Sequence, residues 1–250
     1  MVAMALVLSG ATYVRAGVVW VDTFDAGVGH FDQTIGLGDA RFAHYPGGGI
    51  DAVFIRDGAN DRRYAALGHT FNANVDVLGY SFHAVPFASS RGGGGETSIG
   101  FWNSASDNAA NRIGINFATP VGSPTVVKIS GNYADGGSFT NSTTVPFSFL
   151  RSYAVSVNMN GPAHQITADV FQLPDEFGLP DIPTYIGTLA VNLDAGRTLN
   201  VDSIGFGGGF GAGQATLASI DNVAFVIPEP TTLALLTAAG AALGRHRRRS

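Results

Sequence analysis

The 250-residue chain predicts an all-β protein built as one antiparallel β-sandwich. Three observations lead there. Apolar residues alternate with polar ones at period two in several stretches, while helical periodicity is nearly absent. Glycine supplies 34 residues, about twice its ordinary share, and gathers between those stretches. Charged residues make up 13 % of the chain, roughly half the usual quarter. With one Lys and three Glu, the long Glu/Lys/Ala/Leu runs of coiled coils and bundles are missing. A hydrophobic fraction of 45 % argues against a disordered chain. A net charge of −5, with no basic face before the C-terminus, argues against nucleic acid as a partner. There is no cysteine, so the core must form without disulfides, which a domain of this length can do.

Taken in order, the chain opens on an apolar run, Val2 to Leu8. Val14 and Ala16 then stand at the −3 and −1 positions of a small-residue cleavage site before Gly17. That is the pattern of a secretory signal peptide over residues 1–16. The first candidate strand is Val18 to Thr23. Val75, Val77 and Gly79 alternate with Asp76 and Leu78, leading into Tyr80-Ser-Phe82. Thr97 to Trp102 follows the glycine run Gly92 to Gly95. Ile113, Ile115 and Phe117 alternate with Arg112, Gly114 and Asn116, and Thr125 to Ser130 comes next, before the turn Asp135-Gly136-Gly137. Tyr153, Val155, Val157 and Met159 form one apolar set, and Ile166, Ala168 and Val170 another. Asn160-Gly161-Pro162 between them signals a hairpin. Asp175 to Pro183 reads as a loop. Tyr185 to Val191, Leu199 to Phe206 and Ala215 to Val226 complete the set, with Gly207-Gly208-Gly209 between the last two. Roughly ten to twelve short strands with turns every 8–12 residues or so indicate a sandwich, whose facing sheets bury the alternating apolar sets. The predicted domain spans residues 17–227, without an internal repeat.

The C-terminus has three parts. Pro228-Glu229-Pro230 precedes an apolar run from Leu233 to Leu243, and Arg245, Arg247, Arg248 and Arg249 close the chain around His246. Thr231 to Gly244 is 14 residues; as a short hydrophobic helix it reaches about 21 Å. A permanent span wants about 20 residues and 30 Å, so the segment is marginal as an anchor. The arginines hold its end on the cytoplasmic side, and the prolines separate it from the preceding strand. This end, residues 228–250, resembles the PEP-CTERM sorting signal of Gram-negative bacteria. The resemblance implies transient residence in the inner membrane and cleavage near Pro228-Glu229-Pro230 by an exosortase. It also implies delivery to the cell surface or an extracellular polysaccharide matrix. Loss of Arg15, Glu229 and the four terminal arginines leaves nine basic and eighteen acidic residues, a net charge of −9.

Within the domain, Val21-Asp-Thr-Phe-Asp25, Ser98-Ile-Gly-Phe-Trp-Asn103, Val201-Asp-Ser-Ile-Gly-Phe206 and Ala218-Ser-Ile-Asp-Asn-Val-Ala-Phe225 are similar to strands of the concanavalin A-like lectin/glucanase jelly roll, including its laminin-G-like members. The resemblance implies a jelly-roll topology. The family's hydrolases carry a Glu-x-Asp-x-x-Glu or Glu-x-Asp-x-Glu strand, where alternate residues set two carboxyls about 5–5.5 Å apart. No such motif occurs here. Glu96 follows four glycines, and Glu176 lies in the proline-bounded loop beside Asp175; neighbours on a strand point to opposite faces. Aspartates from different strands remain open as a pair. There is no Gly-x-Ser-x-Gly elbow, the six His lack metal-site spacing, and no glycine run continues into Gly-Lys-Ser/Thr. No catalytic residue is assigned.

Two binding readings remain. In the first, Trp102 takes the strand face opposite Ile99 and Phe101 and stacks on a sugar, with Asn103, Asn116 and Asp169 as hydrogen-bonding partners. The blander and favoured alternative is that a loop covers Trp102, since tryptophan is highly buried on average. In the second, a structural Ca²⁺ takes oxygens from Asp57, Asn60 and Asp61, from Asp107 and Asn108, or from Asp22, Asp25 and Asp221 where the first and last strands meet. The commoner use of such residues is turn capping. No cofactor is required. The expected protein is an exported, non-catalytic surface or matrix protein that binds polysaccharide. The alternatives are a divergent glycan hydrolase using Asp pairs and a purely structural matrix protein.

Overall fold

The computed structural model describes residues 16–22, 33–35, 41–43, 51–56, 62–66, 77–87, 95–103, 112–119, 124–141, 143–174, 183–208 and 215–228. The signal peptide before Ala16, the apolar run and arginines after Pro228, and the C-terminal helix expected there lie outside these residues. Among the described residues there are sixteen strands and no helix. In chain order they are β1 (Ala16–Asp22), β2 (Gln33–Ile35), β3 (Arg41–Ala43), β4 (Asp51–Arg56), β5 (Arg62–Ala66), β6 (Val77–Phe87), β7 (Gly95–Trp102) and β8 (Arg112–Thr119), followed by β9 (Val126–Asn132), β10 (Ser138–Thr140), β11 (Val145–Pro146), β12 (Tyr153–Asn160), β13 (Gln165–Gln172), β14 (Thr184–Asn192), β15 (Ser203–Gly208) and β16 (Ala215–Pro228).

They form two antiparallel sheets, each of eight strands. The terminal sheet runs β14-β13-β12-β6-β16-β4-β3, with β1 also paired to β16; the second sheet runs β10-β9-β8-β7-β15-β5-β2, with β11 also on β9. The chain crosses between sheets repeatedly, so β6 lies between β12 and β16, and β15 between β7 and β5. This is the jelly-roll sandwich expected from the sequence.

The inner faces supply the core. Tyr153, Val155, Val157 and Met159 on β12 are buried, as are Ile166, Ala168 and Val170 on β13 and Ile113, Ile115 and Phe117 on β8, as their alternation predicts. On β6 the buried set is Leu78, Tyr80, Phe82 and Ala84, whereas Val77 and Gly79 take the outer face; Val75 and Asp76 lie outside the described residues. The larger side chains win the interior because burying each is worth about 1.5–3 kcal/mol. Tyr80 reaches across the sandwich. Its hydroxyl donates to the Ile99 carbonyl at 3.0 Å, and its ring meets Phe101 edge-on at 5.1 Å. In the second sheet β7 and β8 approach closely at Gly100, where a Cβ would lie 2.0 Å from the Ile113 carbonyl oxygen.

One edge of β16 is shared. β4 covers Ala215 to Ile220, and β1 covers Val223 to Pro228, with Ala16 opposite Pro228. Between the two partners the ladder to β6 breaks, with Asp221 opposite His83 and Ala224 opposite Ser81. Asn222 sits in this bulge at φ 52°, in the left-handed region that asparagine tolerates better than most residues. The bulge lets one strand change partner without losing its core residues, Ile220, Val223 and Phe225. The hairpin read at Asn160-Gly161-Pro162 joins β12 to β13, and the Ala163 N–H donates to Asn160 Oδ1 at 3.0 Å. The stretch expected from Leu199 begins pairing only at Ser203, though Leu199 and Val201 are buried ahead of it.

Candidate functional site

Each sheet has a face turned away from the core, and the two faces differ. On the second sheet it carries Ser98 and Trp102 of β7, Asn116 of β8 and Ser203 of β15. All are buried, Trp102 to 2 % exposure. Both faces of these central strands are therefore closed. Asn116 donates through Nδ2 to Ser130 Oγ at 2.7 Å and to the Gly114 carbonyl at 3.1 Å, while its Oδ1 and Ser98 Oγ have no hydrogen-bond partner among the described residues. Asn103 is buried, and its Nδ2 donates to the Asn200 carbonyl at 3.2 Å. Trp102, Asn103 and Asn116, named above as candidate sugar contacts, are thus buried, and for Trp102 burial is the alternative the sequence favoured. Trp102 does take the face opposite Ile99 and Phe101, but that face is covered, which strand parity alone cannot reveal.

Asp169 lies elsewhere, on the open outer face of the terminal sheet. Strand register arranges that face in rows. One row runs Tyr185–Phe171–Ala154–His83–Asp221 across β14, β13, β12, β6 and β16, and the next runs Thr188–Asp169–Ser156–Ser81–Ala224. Thr188 and Tyr185 are three residues apart and would point to opposite faces of an unbroken strand. A register shift corrects this: Val170 faces Gly187 while Phe171 faces Tyr185, leaving Ile186 as an extra residue on β14. Ile186 packs against the core, and Tyr185 is thereby turned outward, 55 % exposed. Its ring lies edge-on to Phe171 at 5.5 Å, its hydroxyl is 2.6 Å from Thr188 Oγ1, and Thr188 donates to Asp169. Toward the bottom of the face, Gln165 Nε2 donates to Asn192 Oδ1 at 3.1 Å.

The far end of the first row is the β16 bulge. The Asn222 N–H and Nδ2 both donate to the Asp221 carboxylate at 2.7 Å, and Nδ2 is 3.3 Å from His83 Nδ1. Burial lowers the His83 pKa from its ordinary value, favouring the neutral ring. Of the calcium candidates, Asp22 is at the end of β1, its backbone opposite Val223 and so one strand over from Asp221. Asp25, Asp57, Asn60, Asp61, Asp107 and Asn108 lie outside the described residues. Among the described residues no three His, Asp or Glu side chains gather as a metal site.

Two carboxyl positions bear on acid–base work. Position 96 shares its β7 face with Ser98 and Gly100, where a retaining hydrolase strand needs a second carboxyl. Arg197 donates to both oxygens of Asp135, at 2.6 and 2.9 Å. This contact and the Gly137 N–H hold that carboxyl below its usual range, the reverse of a general acid's need. Arg197 also bonds Asp194 at 3.3 Å and lies 4.2 Å over the Tyr133 ring, so this cluster ties two turns together.

No protein-family model matches the sequence, and no curated protein matches it. Solved structures do resemble the fold. Lectin II from Ulex europaeus superposes with a TM-score of 0.50 at 16 % identity, over 78 % of this chain and 92 % of the lectin. The seed lectin of Lotus tetragonolobus gives 0.53 at 13 % identity, over 84 % and 99 %. A conserved carbohydrate esterase from Shiga toxin-encoding bacteriophage phi24B gives 0.52 at 10 % identity, over 86 % and 100 %. The architecture is thus the jelly roll of the concanavalin A-like lectins, a fold that lectins and at least one carbohydrate esterase share.

Proposed function

We propose that this protein is an exported, non-catalytic carbohydrate-binding protein of the cell surface or extracellular polysaccharide matrix. In this reading residues 1–16 direct export and residues 228–250 direct sorting, with exosortase cleavage near Pro228-Glu229-Pro230. The carrying observation is a lectin-type sandwich in which Asp169, Asp135 and Asp221 are engaged by Thr188, Arg197 and Asn222 and are not set as the carboxyl pair of glycan hydrolysis. The similarity of lectin folds to nearly their full length supports the binding half of the reading. The three-part C-terminus supports the export half. The reading requires no cofactor, although a structural Ca²⁺ held by the aspartate-rich loops is compatible with it.

The test is co-sedimentation of the purified protein with a panel of insoluble polysaccharides, with released reducing ends and acetate assayed in the same tubes. Co-sedimentation that survives chelation, with neither product released, is expected. Released product would favour the esterase-like or hydrolase alternative, which the phage esterase neighbour makes specific. Failure to bind any polysaccharide would favour a purely structural matrix protein. For sorting, Glu229→Ala is expected to leave an unprocessed precursor in the inner-membrane fraction.

A further inference from the structure

We propose that the glycan site is the open outer face of the terminal sheet, centred on Tyr185, Thr188 and Asp169, and that it takes a neutral, hydroxyl-rich polysaccharide laid across the strands. The proposal rests on the carbohydrate-binding reading and locates it. Four observations carry it.

The first is the β14 bulge, which turns a large aromatic outward where strand parity would place it inward. Bulges cluster where a side chain must be re-aimed. The second is that Tyr185 is held rather than loose. Phe171 supports its ring from the side, and Thr188 fixes its hydroxyl. A preset aromatic offers the C–H face of a sugar ring a large contact at low entropic cost. The third is the polar row beside it. Thr188, Asp169, Ser156 and Ser81 are in register on adjacent strands, roughly 4.8 Å apart, and together present hydroxyl donors and carboxylate acceptors suited to sugar hydroxyls. The fourth is charge. Strands β6, β12, β13, β14 and β16 contain no Lys or Arg, and the face carries Asp169 and Asp221. On these five strands a polyanion would meet two carboxylates and no basic side chain, which favours an uncharged occupant. The equivalent face of the second sheet is closed, as the burial of Trp102 and Asn116 shows.

The test compares the full-length protein with Tyr185→Ala, Tyr185→Trp and Asp169→Asn, using cellulose as the neutral probe and polygalacturonate as the anionic one. Tyr185→Ala is expected to weaken cellulose binding by about tenfold or more, as for an aromatic anchor at an interface, without lowering the melting temperature. Tyr185→Trp is expected to restore binding, and Asp169→Asn to weaken it less. If the wild type binds cellulose and Tyr185→Ala binds it equally well, this site is wrong while the lectin reading stands. If the wild type binds neither probe, this site and its ligand class fail, and if it also binds nothing in the wider polysaccharide panel the carbohydrate reading fails with them. Preference for polygalacturonate would overturn the ligand class. A change of sedimentation coefficient in Tyr185→Ala would show that a second copy of the chain occupies the face, and would also overturn the proposal.

Discussion

Single side chains carry chemistry that titration can reveal. Tyr80 is fully inside, and desolvation raises its phenol far above the ordinary range; Tyr153 is raised for the same reason. A raised folded-state pKa means the unfolded chain ionises first. The stabilisation is complete below about pH 10, the ordinary tyrosine value, and is lost as pH climbs beyond it. Alkaline unfolding should therefore set in near pH 10, and Tyr80→Phe should blunt it. That variant should also cost about 0.5–1.5 kcal/mol at neutral pH by removing the hydrogen bond to Ile99. Denaturant melts between pH 8 and 11 test both. His83 works in the opposite sense. Its pKa is lowered by burial, so its contribution is present above about pH 6.5 and is lost as pH falls through the folded value. Trp102 shows the limit of residue-level reading, because its sequence neighbours settle its face but not what lies over it.

Secondary elements were legible where a strand alternates without interruption, as in β12 and β13, whose buried sets and connecting hairpin follow from period two and Asn160-Gly161-Pro162. Legibility fell in three ways. In β6 two apolar sets compete, Val77 and Gly79 against Leu78, Tyr80 and Phe82, and only packing chooses the bulkier one. β4 is apolar from Ala52 to Ile55, without period-two contrast, and β5 is short and begins with two arginines. In β14 the extra residue Ile186 inverts the parity of Tyr185, and this hid the exposed aromatic on the face that carries Asp169. Asp169 was readable as a polar strand position; its partners were not. The β16 bulge makes an element-scale prediction. Asn222→Gly keeps the left-handed conformation and should be near neutral, whereas Asn222→Val should cost about 1–2 kcal/mol, measured by chemical denaturation.

At the scale of the whole molecule, the two ends of the domain are one feature. Ala16 and Pro228 are paired in register, so the residues flanking both proposed processing points leave the same end of the terminal sheet. The net charge of −5 and the absence of lysine or arginine on five strands of that sheet agree in favouring an uncharged partner. The fold class was legible from composition and period because sandwiches are built from repeated local alternation. The closing of one sheet face and the opening of the other were not, because they depend on segments distant in sequence. The most direct measurement is an amide and indole NMR titration with a neutral oligosaccharide such as cellohexaose. Shifts confined to Tyr185, Thr188, Asp169, Phe171 and Ser156, with the Trp102 indole unmoved, are the predicted result. Shifts centred on Trp102 and Asn116, or none anywhere at saturating ligand, would contradict it.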